Sequence, residues 1–265
     1  MVRSSRPQGR HASLGQNFLA DPNLLEAIVR EAELDAADVV LEVGGGKGVL
    51  SARLAEETRF VHVIELDERL RGGLEAIEAR FEGVRVVMGD AMKVDFGALD
   101  PAPSAMVSNL PYSVATPVIM RTLEELPGVG RWTVMVQREI GDRLRAAPRT
   151  KAYGAPSVLA QMTCRVEMLR AVDRAVFRPP PRVDSALIRL DRVAEWPGTG
   201  VVRLVRGAFA HRRKALARSV ATASVASRAR TLEALDALGK SPTVRAEELE
   251  PAEFAALARE LGLAG

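Results

Sequence analysis

The amino-acid sequence predicts an α/β protein with a doubly wound, mostly parallel sheet, followed by a small all-helical C-terminal region. Strand-like and helix-like hydrophobic periods alternate along the first 190 residues. A glycine-rich turn follows the first buried strand, and the pattern beyond residue 200 is helical and rich in Ala and Leu. Strands that alternate with helices are typical of parallel sheets with helical crossovers.

Each element has its own local signal, beginning with an amphipathic helix over 22–34 that Asp21 caps and Pro22 starts. The strands are expected at 39–43, 60–66, 84–90, 105–111, 132–137, 166–172 and 183–190, and the helices at 49–57, 68–80, 114–126 and from 138 to 145. The last two strands flank a proline-rich loop over 178–181 in hairpin order, which predicts an antiparallel edge to the sheet.

Charge and pattern divide the chain into three regions. Residues 1–15 form a basic N-terminal arm, residues 16–194 form the α/β domain, and residues 195–265 form the helical domain, which begins with a linker over 195–200. The formal net charge is only +3, yet residues 196–232 hold eight basic residues and no acidic one. Such basic stretches indicate a polyanionic partner, although a solvated helix face would carry the same charges.

Composition excludes several function classes. No apolar run approaches the roughly 18 residues that a membrane span needs, so no membrane partner is expected. The basic N-terminus lacks the apolar stretch of a signal peptide. The single cysteine, Cys164, excludes a disulfide framework and fits a reducing compartment, so a cytoplasmic protein is expected. With only three histidines, well separated, no metal site is expected.

The glycine-rich turn Gly44-Gly45-Gly46-Lys47-Gly48 predicts a nucleotide-type site. Glycine lets a ligand approach the backbone, and the helix that follows offers free N–H groups. Glu65 ends the next strand, 21 residues after Gly44, where a carboxylate can accept from ribose hydroxyls. Asp90 and Ala91 follow the third strand. NAD, FAD and S-adenosylmethionine all fit this much, but the glycine spacing departs from the dinucleotide fingerprint.

The tetrapeptide Asn109-Leu110-Pro111-Tyr112 follows the fourth predicted strand. An exocyclic adenine amine is a poor nucleophile because its lone pair is delocalised into the ring. The Asn109 amide oxygen and a backbone carbonyl next to Pro111 can accept from this amine and aim its lone pair at a methyl sulfonium. Pro111 fixes the turn, and Tyr112 can stack on a base that is single-stranded or flipped out. The alternative is a proline turn without a catalytic role.

With these residues in place, the chain resembles the ribosomal RNA small-subunit adenine-N6,N6-dimethyltransferases. The resemblance covers nearly the whole chain and rests on GQNFL (15–19), EVGGGKG (42–48), IELD (64–67), GDAM (89–92), NLPYSVATP (109–117), QREIGDRL (137–144), KAYG (151–154), FRPPPRVDSA (177–186) and AFAHRRKAL (208–216). It implies a Rossmann-like class I methyltransferase domain with a small helical C-terminal domain. It also implies a monomer that transfers methyl groups from S-adenosyl-L-methionine to two adjacent adenosines near the 3′ end of 16S rRNA, within a small ribosomal subunit precursor.

The resemblance also implies a role for each residue of the donor site. Asn17 and Leu19 would close over the methionine end of the cofactor, and Gly44 and Gly46 would lie against its backbone. Glu65 would hold the ribose and Asp90 the cofactor adenine, and Ala91 is a further cofactor-binding residue. Asn109 would contact both the cofactor and the target amine. One departure is Gly45, where the family often has proline; this loosens the loop and removes no contact.

On the acceptor side, the resemblance implies that Tyr112 and Phe177 sandwich the target adenine. The candidate catalytic residues are therefore Asn109, Pro111, Tyr112 and Phe177. The basic C-terminal stretch supplies the candidate RNA contacts, which are Arg206, Arg212, Arg213 and Lys214.

Three other functions compete with this interpretation. The related large-subunit ribosomal RNA adenine methyltransferases, which confer macrolide resistance, share the cofactor and catalytic motifs. SVATP after the tetrapeptide, with KAYG and VDSA, favours the small-subunit branch. DNA adenine methyltransferases usually carry a second proline where Leu110 stands. A ribosome-assembly factor whose enzyme activity is secondary or lost is the rival from another class. The intact Asn109, Glu65 and Asp90 argue against lost activity but not against an additional assembly role.

Overall fold

The computed structural model describes residues 16–263, so the predicted basic arm 1–15 lies outside the described residues. The strands in this range are β1 Phe18–Leu19, β2 Val39–Val43, β3 Phe60–Glu65, β4 Val84–Met88, β5 Ala105–Asn109, β6 Arg131–Gln137, β7 Cys164–Val172, β8 Phe177–Arg178 and β9 Ser185–Arg192. The α-helices are α1 Pro22–Ala32, α2 Val49–Ala55, α3 Arg71–Arg80, α4 Ala115–Glu125, α5 Arg138–Leu144, α6 Ala155–Thr163, α7 Thr199–Phe209, α8 Leu216–Thr222, α9 Arg228–Ala237 and α10 Pro251–Glu260.

The predicted fold class is confirmed. Seven strands form one sheet in the order β4-β3-β2-β5-β6-β9-β7. The strands from β4 to β6 pair in parallel, and β9 runs antiparallel to both β6 and β7. The chain reverses its direction of winding between β2 and β5. In an open α/β sheet, the carboxyl ends of the two strands at such a switch point frame a ligand crevice.

Helices cover both faces of the sheet because successive side chains of each strand point to opposite faces. In β2, which is buried along its whole length, Val40 packs with residues of α1 and α2 in one hydrophobic cluster. Leu41 and Val43 pack in a second cluster with α4 and α5. This second cluster continues into the C-terminal helices α7, α8 and α10.

The C-terminal helices contact the α/β part through α6 and the segment before it. The Tyr153 hydroxyl, fully buried, donates to the Leu249 carbonyl oxygen at 2.8 Å. Phe209 lies between the Tyr153 and Phe254 rings, with centroids 5.9 Å from each. None of the helices within residues 16–263 combines the length and the apolar character that crossing a membrane requires.

The structure departs from the expected elements at three places. Helix α6 was not predicted; a glycine and a proline precede its short apolar run, and proline suits only the first turn of a helix. Strands β1 and β8, two residues each, pair antiparallel and are too short to show a period. The linker over 195–200 was predicted too long, because α7 already begins at Thr199.

Candidate active site

A cavity opens at the switch point between β2 and β5, and we call it the switch-point cavity. Its wall includes residues from five separate segments of the chain. Ten of the predicted site residues line it: Asn17, Leu19, Gly44, Gly46, Glu65, Asp90, Ala91, Asn109, Pro111 and Tyr112. The structure therefore brings together the complete predicted donor set and three of the four predicted catalytic residues.

The glycine loop after β2 packs directly against the catalytic tetrapeptide. Gly44 has a φ of +86°, and a Cβ atom there would lie 3.0 Å from Cδ of Pro111. Gly46 has a φ of +57° and faces the Phe18 ring. L side chains rarely adopt such backbone conformations. Glycine is therefore required at both positions, and the bare backbone of the loop is left as a wall of the cavity.

Glu65, the last residue of β3, joins that strand to the glycine loop. Its Oε2 accepts from the backbone N–H of Gly46 at 2.8 Å. Its Oε1 accepts from the N–H groups of Leu66 and Asp67, each at 2.8 Å. A carboxylate offers about four acceptor positions, so Oε2 keeps the capacity to accept from a ligand hydroxyl.

The loop after β4 is closed by its own hydrogen bonds. The Asp90 carbonyl oxygen accepts from the N–H groups of Lys93 (2.7 Å) and Val94 (3.0 Å). Oδ1 of Asp90 accepts from Met92 N–H at 2.9 Å, while Oδ2 lies 3.7 Å from the Lys93 ammonium. The Asp90 carboxylate is thus held on the wall of the cavity and retains an oxygen for a donor group on a ligand.

Glu42 is a cavity residue that the sequence reasoning missed. It lies on β2, is 1% exposed, and accepts a hydrogen bond from the Ser51 hydroxyl. Burial raises the pKa of Glu42 to about 8; the Ser51 hydrogen bond opposes this rise, and the negative charge of Glu65 adds to it. A carboxyl group in an otherwise apolar strand was the available signal. At neutral pH its protonation reduces the negative charge of the cavity.

Asn109 is oriented by the N-terminal segment. Its amide nitrogen donates to the backbone carbonyl oxygen of Asn17 at 3.2 Å, which leaves the amide oxygen as an acceptor. The Pro111 carbonyl oxygen accepts from Val114 N–H at 3.1 Å, and this favours the Leu110 carbonyl as the second acceptor for an amine. Leu110 itself is buried and donates its N–H to Met135 on β6 at 3.1 Å.

The two predicted base-stacking residues lie in different surroundings. The half-buried Tyr112 forms a hydrogen bond through its hydroxyl with Ser185, the fully buried first residue of β9. Burial raises the pKa of Tyr112 above its usual value, so the hydroxyl stays protonated. Phe177 is 0% exposed and packs in the hydrophobic cluster of α1 and α2. Its backbone pairs with Leu19, but the structure does not bring its side chain to the cavity.

The predicted RNA contacts lie away from the cavity. Arg206 is exposed on α7, and the cluster His211–Lys214 forms the turn between α7 and α8. Arg212 is bonded to the Glu247 carboxylate at 2.9 Å and to the Thr150 carbonyl oxygen at 3.3 Å. Arg213 is exposed.

Across residues 16–263, no group of three His, Cys, Asp or Glu side chains is placed to hold a metal ion.

Sequence comparison finds relatives along the whole chain. The sequence model of a family described as ribosomal RNA adenine dimethylase matches residues 8–261. A protein of Rubrobacter xylanophilus named ribosomal RNA small subunit methyltransferase A is 42% identical over 261 residues, which cover 98% of this chain and 97% of that protein. A protein of Streptomyces coelicolor with the same name is 42% identical over 254 residues, covering 92% of this chain and 88% of that protein.

Solved structures show the same fold. A dimethyladenosine transferase from Plasmodium falciparum matches with a TM-score of 0.79 and 23% identity, covering 92% of this chain and 97% of that one. The 23S rRNA methyltransferase ErmE matches with a TM-score of 0.67 and 29% identity, covering 93% of this chain and 100% of that one. Both matches extend beyond the α/β part into the C-terminal helices.

Proposed function

The chain belongs to the ribosomal RNA adenine dimethylase family, and from that premise we propose its methyl donor, its target and the roles of its residues. As a member of this family, it is a methyltransferase that dimethylates adenine in ribosomal RNA. The donor is S-adenosyl-L-methionine. The target is a pair of adjacent adenosines near the 3′ end of 16S rRNA, within a precursor of the small ribosomal subunit.

The residues of the switch-point cavity fit this donor. The glycine loop presents bare backbone, Glu65 retains acceptor capacity for a ribose hydroxyl, and Asp90 retains an oxygen for the adenine amine. Asn17 and Leu19 lie across the same cavity. When bound, S-adenosylmethionine supplies an electrophilic methyl group on a positively charged sulfur.

Asn109 and the Leu110 carbonyl make the target amine nucleophilic. The Asn109 amide oxygen and the Leu110 carbonyl oxygen each accept a hydrogen bond from the adenine amine. This favours a pyramidal nitrogen whose lone pair points out of the plane of the ring. Pro111 holds the turn rigid, and the Tyr112 ring offers a face for the base. Positioning of this kind supplies much of a rate enhancement without a general base, and the methylated nitrogen then releases its proton to water. The carrying observation is that Glu65, Asp90 and Asn109, which follow or end three different strands, meet in one cavity.

Phe177 remains a predicted partner of the target base. Its ring is fully buried, so stacking on an adenine requires the ring to leave the core when RNA binds. The β1–β8 ladder joins the backbone of Phe177 to Leu19. A rearrangement at one of these residues therefore involves the other, and donor binding and base binding are coupled in this proposal.

RNA docking belongs to the helical region 195–265 and to the basic arm 1–15 in this proposal. Within the described part of the chain, Arg206 and Arg213 are exposed and form no ion pair, so their charges remain available to phosphates. Arg212 and Lys214 complete the candidate contacts. A monomeric, cytoplasmic protein without a metal ion remains the prediction.

The second candidate function is methylation of large-subunit RNA. Its support is the match to a 23S rRNA methyltransferase at 29% identity. The relatives named for the small subunit are 42% identical over nearly the whole chain, which favours the small subunit.

Mass spectrometry of both ribosomal RNAs from cells that lack the gene separates the two candidates. Loss of N6,N6-dimethyladenosine from the 3′ end of 16S rRNA, restored by the wild-type gene and not by Asn109→Ala, is expected. Unchanged 16S rRNA with a lost modification in 23S rRNA would overturn the proposed target.

A further inference from the structure

We propose that Arg121 is a positioning residue that holds the donor-binding loop in the shape required for adenine recognition. The loop runs over 89–94, and we call it the Asp90 loop. It places Asp90 and Ala91 on the wall of the switch-point cavity. Arg121 lies outside that wall, on α4, the helix that follows the catalytic tetrapeptide. The inference rests on the proposed donor, S-adenosylmethionine.

The Arg121 guanidinium holds the Asp90 loop at two backbone positions. Its Nη1 donates to the Ala91 carbonyl oxygen at 2.6 Å, and its Nη2 donates to the Val94 carbonyl oxygen at 2.7 Å. Its Cζ lies 4.4 Å from the centre of the buried Phe96 ring, just beyond the loop. The Arg121 side chain is only 17% exposed, so these bonds are largely shielded from water.

The other side of the guanidinium is fixed by its own helix. Nε and Nη2 donate to the two carboxylate oxygens of Glu125 at 2.6 and 2.8 Å, one turn further along α4. Such a two-point pair sets the plane of the guanidinium. Arginine is suited to this role because its planar fork reaches two carbonyls at once, whereas lysine offers a single nitrogen. Within residues 16–263, no other hydrogen bond reaches the Ala91 or Val94 carbonyl oxygen.

The shape of this loop decides what the Asp90 carboxylate can accept. One of its oxygens is held by Met92 N–H inside the loop, so the direction of the other follows the loop backbone. The adenine amine is a donor and suits a carboxylate. Hypoxanthine presents a carbonyl oxygen at the same ring position and is repelled by it. A site built around a hydrogen bond discriminates strongly between such analogues. Arg121 therefore supports discrimination between adenosyl and inosyl ligands.

Arg192 provides a matched control within the same chain. It donates to the Val129 carbonyl oxygen at 2.8 Å and to those of Leu123 and Leu126 at 3.1 Å each. Its Cζ lies 4.9 Å from the centre of the Trp132 ring. Arg192 thus makes the same kinds of contact at the C-terminal end of α4 and just beyond it, with residues that do not line the cavity.

The experiment measures binding of S-adenosylhomocysteine and S-inosylhomocysteine to the full chain by calorimetry. Arg121→Met keeps the apolar stem and removes the donors, and Arg192→Met is its control. We expect Arg121→Met to weaken S-adenosylhomocysteine binding by about tenfold. We also expect it to reduce the ratio of the affinity for S-adenosylhomocysteine to that for S-inosylhomocysteine. Arg192→Met should keep the wild-type affinity and the wild-type ratio while losing thermal stability. At saturating donor, kcat of Arg121→Met should stay near that of the wild type, while its KM for the donor rises.

Each remaining outcome is decisive. An unchanged adenosyl-to-inosyl ratio in Arg121→Met, with or without a lower Tm, overturns the role of Arg121. If Arg121→Met does not fold, Arg121→Lys decides, because its single ammonium leaves one loop carbonyl unbonded and must show the same change in ratio. A wild-type protein that binds neither nucleoside overturns the proposed donor itself. That result differs from the one that overturns only the role of Arg121, in which the wild type prefers the adenosyl ligand to the inosyl ligand and Arg121→Met keeps the same preference.

Discussion

The Glu65 carboxylate accepts a hydrogen bond of 2.8 Å from the backbone N–H of Gly46, so β3 and the glycine loop are joined at the switch-point cavity. Glu65 is only 6% exposed and also accepts from the two N–H groups that follow it in the chain. One side chain thus shapes the loop and, in the proposed function, offers the acceptor for a ribose hydroxyl.

Glu65→Ala should weaken S-adenosylmethionine binding by about 1.5–3 kcal/mol, the usual contribution of a hydrogen bond to a charged group. Loss of the Gly46 bond adds to the effect because the loop is no longer held. Calorimetry of wild type and variant measures it. Glu68→Ala is the control, since Glu68 is exposed and its carboxylate is bonded to Arg71 alone among the described residues. An unchanged Kd in Glu65→Ala would remove the ribose role.

Glu42→Gln should change how stability depends on pH. Burial raises the pKa of Glu42 from 4.5 to about 8, so the folded protein keeps a proton that the unfolded chain releases at lower pH. Wild-type stability therefore falls as the pH rises from 4.5 through 8. Glutamine stays neutral and still accepts from Ser51.

The two proteins should match near pH 4.5. By pH 9 the variant should be more stable by on the order of 5 kcal/mol. Chemical denaturation without donor, at several pH values, measures the difference, with the exposed Glu56→Gln as control. Parallel pH profiles for Glu42→Gln and wild type would show that Glu42 ionises normally.

Tyr112 and Ser185 should behave as a coupled pair. Tyr112→Phe and Ser185→Ala each remove one partner of the hydrogen bond at the end of β9. The double variant should therefore cost less stability than the sum of the two, by about 0.5–1.5 kcal/mol. The control pair is Tyr112→Phe with Thr163→Val, because the Thr163 hydroxyl donates to the Leu159 carbonyl oxygen and not to Tyr112. Additivity in the Tyr112–Ser185 cycle would mean that Ser185 does not orient the ring.

Replacing Arg212, Arg213 and Lys214 together with Ala should raise the RNA Kd and flatten its dependence on salt. Each lost phosphate contact reduces the slope of log K against log salt by roughly one. Among the three single variants, Arg212→Ala should change this slope least, because the Arg212 guanidinium already donates a hydrogen bond to the Glu247 carboxylate. Donor binding should be unchanged, since the cluster lies outside the cavity.

The matched control for this cluster is Arg59→Ala with Arg80→Ala, two exposed arginines beside the β3–β4 side of the sheet. Their loss removes two positive charges, against three in the triple variant, without touching the C-terminal helices. If the triple variant binds RNA with wild-type affinity and slope, the cluster is only a solvated turn.

The donor residues that follow or end a predicted strand could be placed from sequence, whereas Asn17 and Leu19 came only from the family resemblance. Parallel strands bring their carboxyl ends to one edge, so Gly44, Glu65, Asp90 and Asn109 had to meet there once the fold class was right. The fold was predictable because long segments with a clear hydrophobic period specify their own helices and strands.

Contacts between distant segments could not be predicted in this way. Ser185 lies 73 residues from Tyr112, and no local spacing links them. Arg121 is 30 residues from the Ala91 carbonyl that it holds. The burial of Phe177 depends on its packing with α1 and α2, which tertiary structure alone decides. The motif around Phe177 indicates a role in the family and says nothing of where the ring rests without RNA.

Methylation of purified ribosomal subunits tests the central claim most directly. Small and large subunits that lack the modification are incubated with the protein and labelled S-adenosylmethionine, and their RNAs are digested and analysed by mass spectrometry. We predict N6,N6-dimethyladenosine at two adjacent positions near the 3′ end of 16S rRNA. Asn109→Ala should lower the rate by roughly 10²–10³, while the exposed Asn23→Ala keeps it. Label in 23S rRNA alone, or equal rates for Asn109→Ala and wild type, would contradict the account.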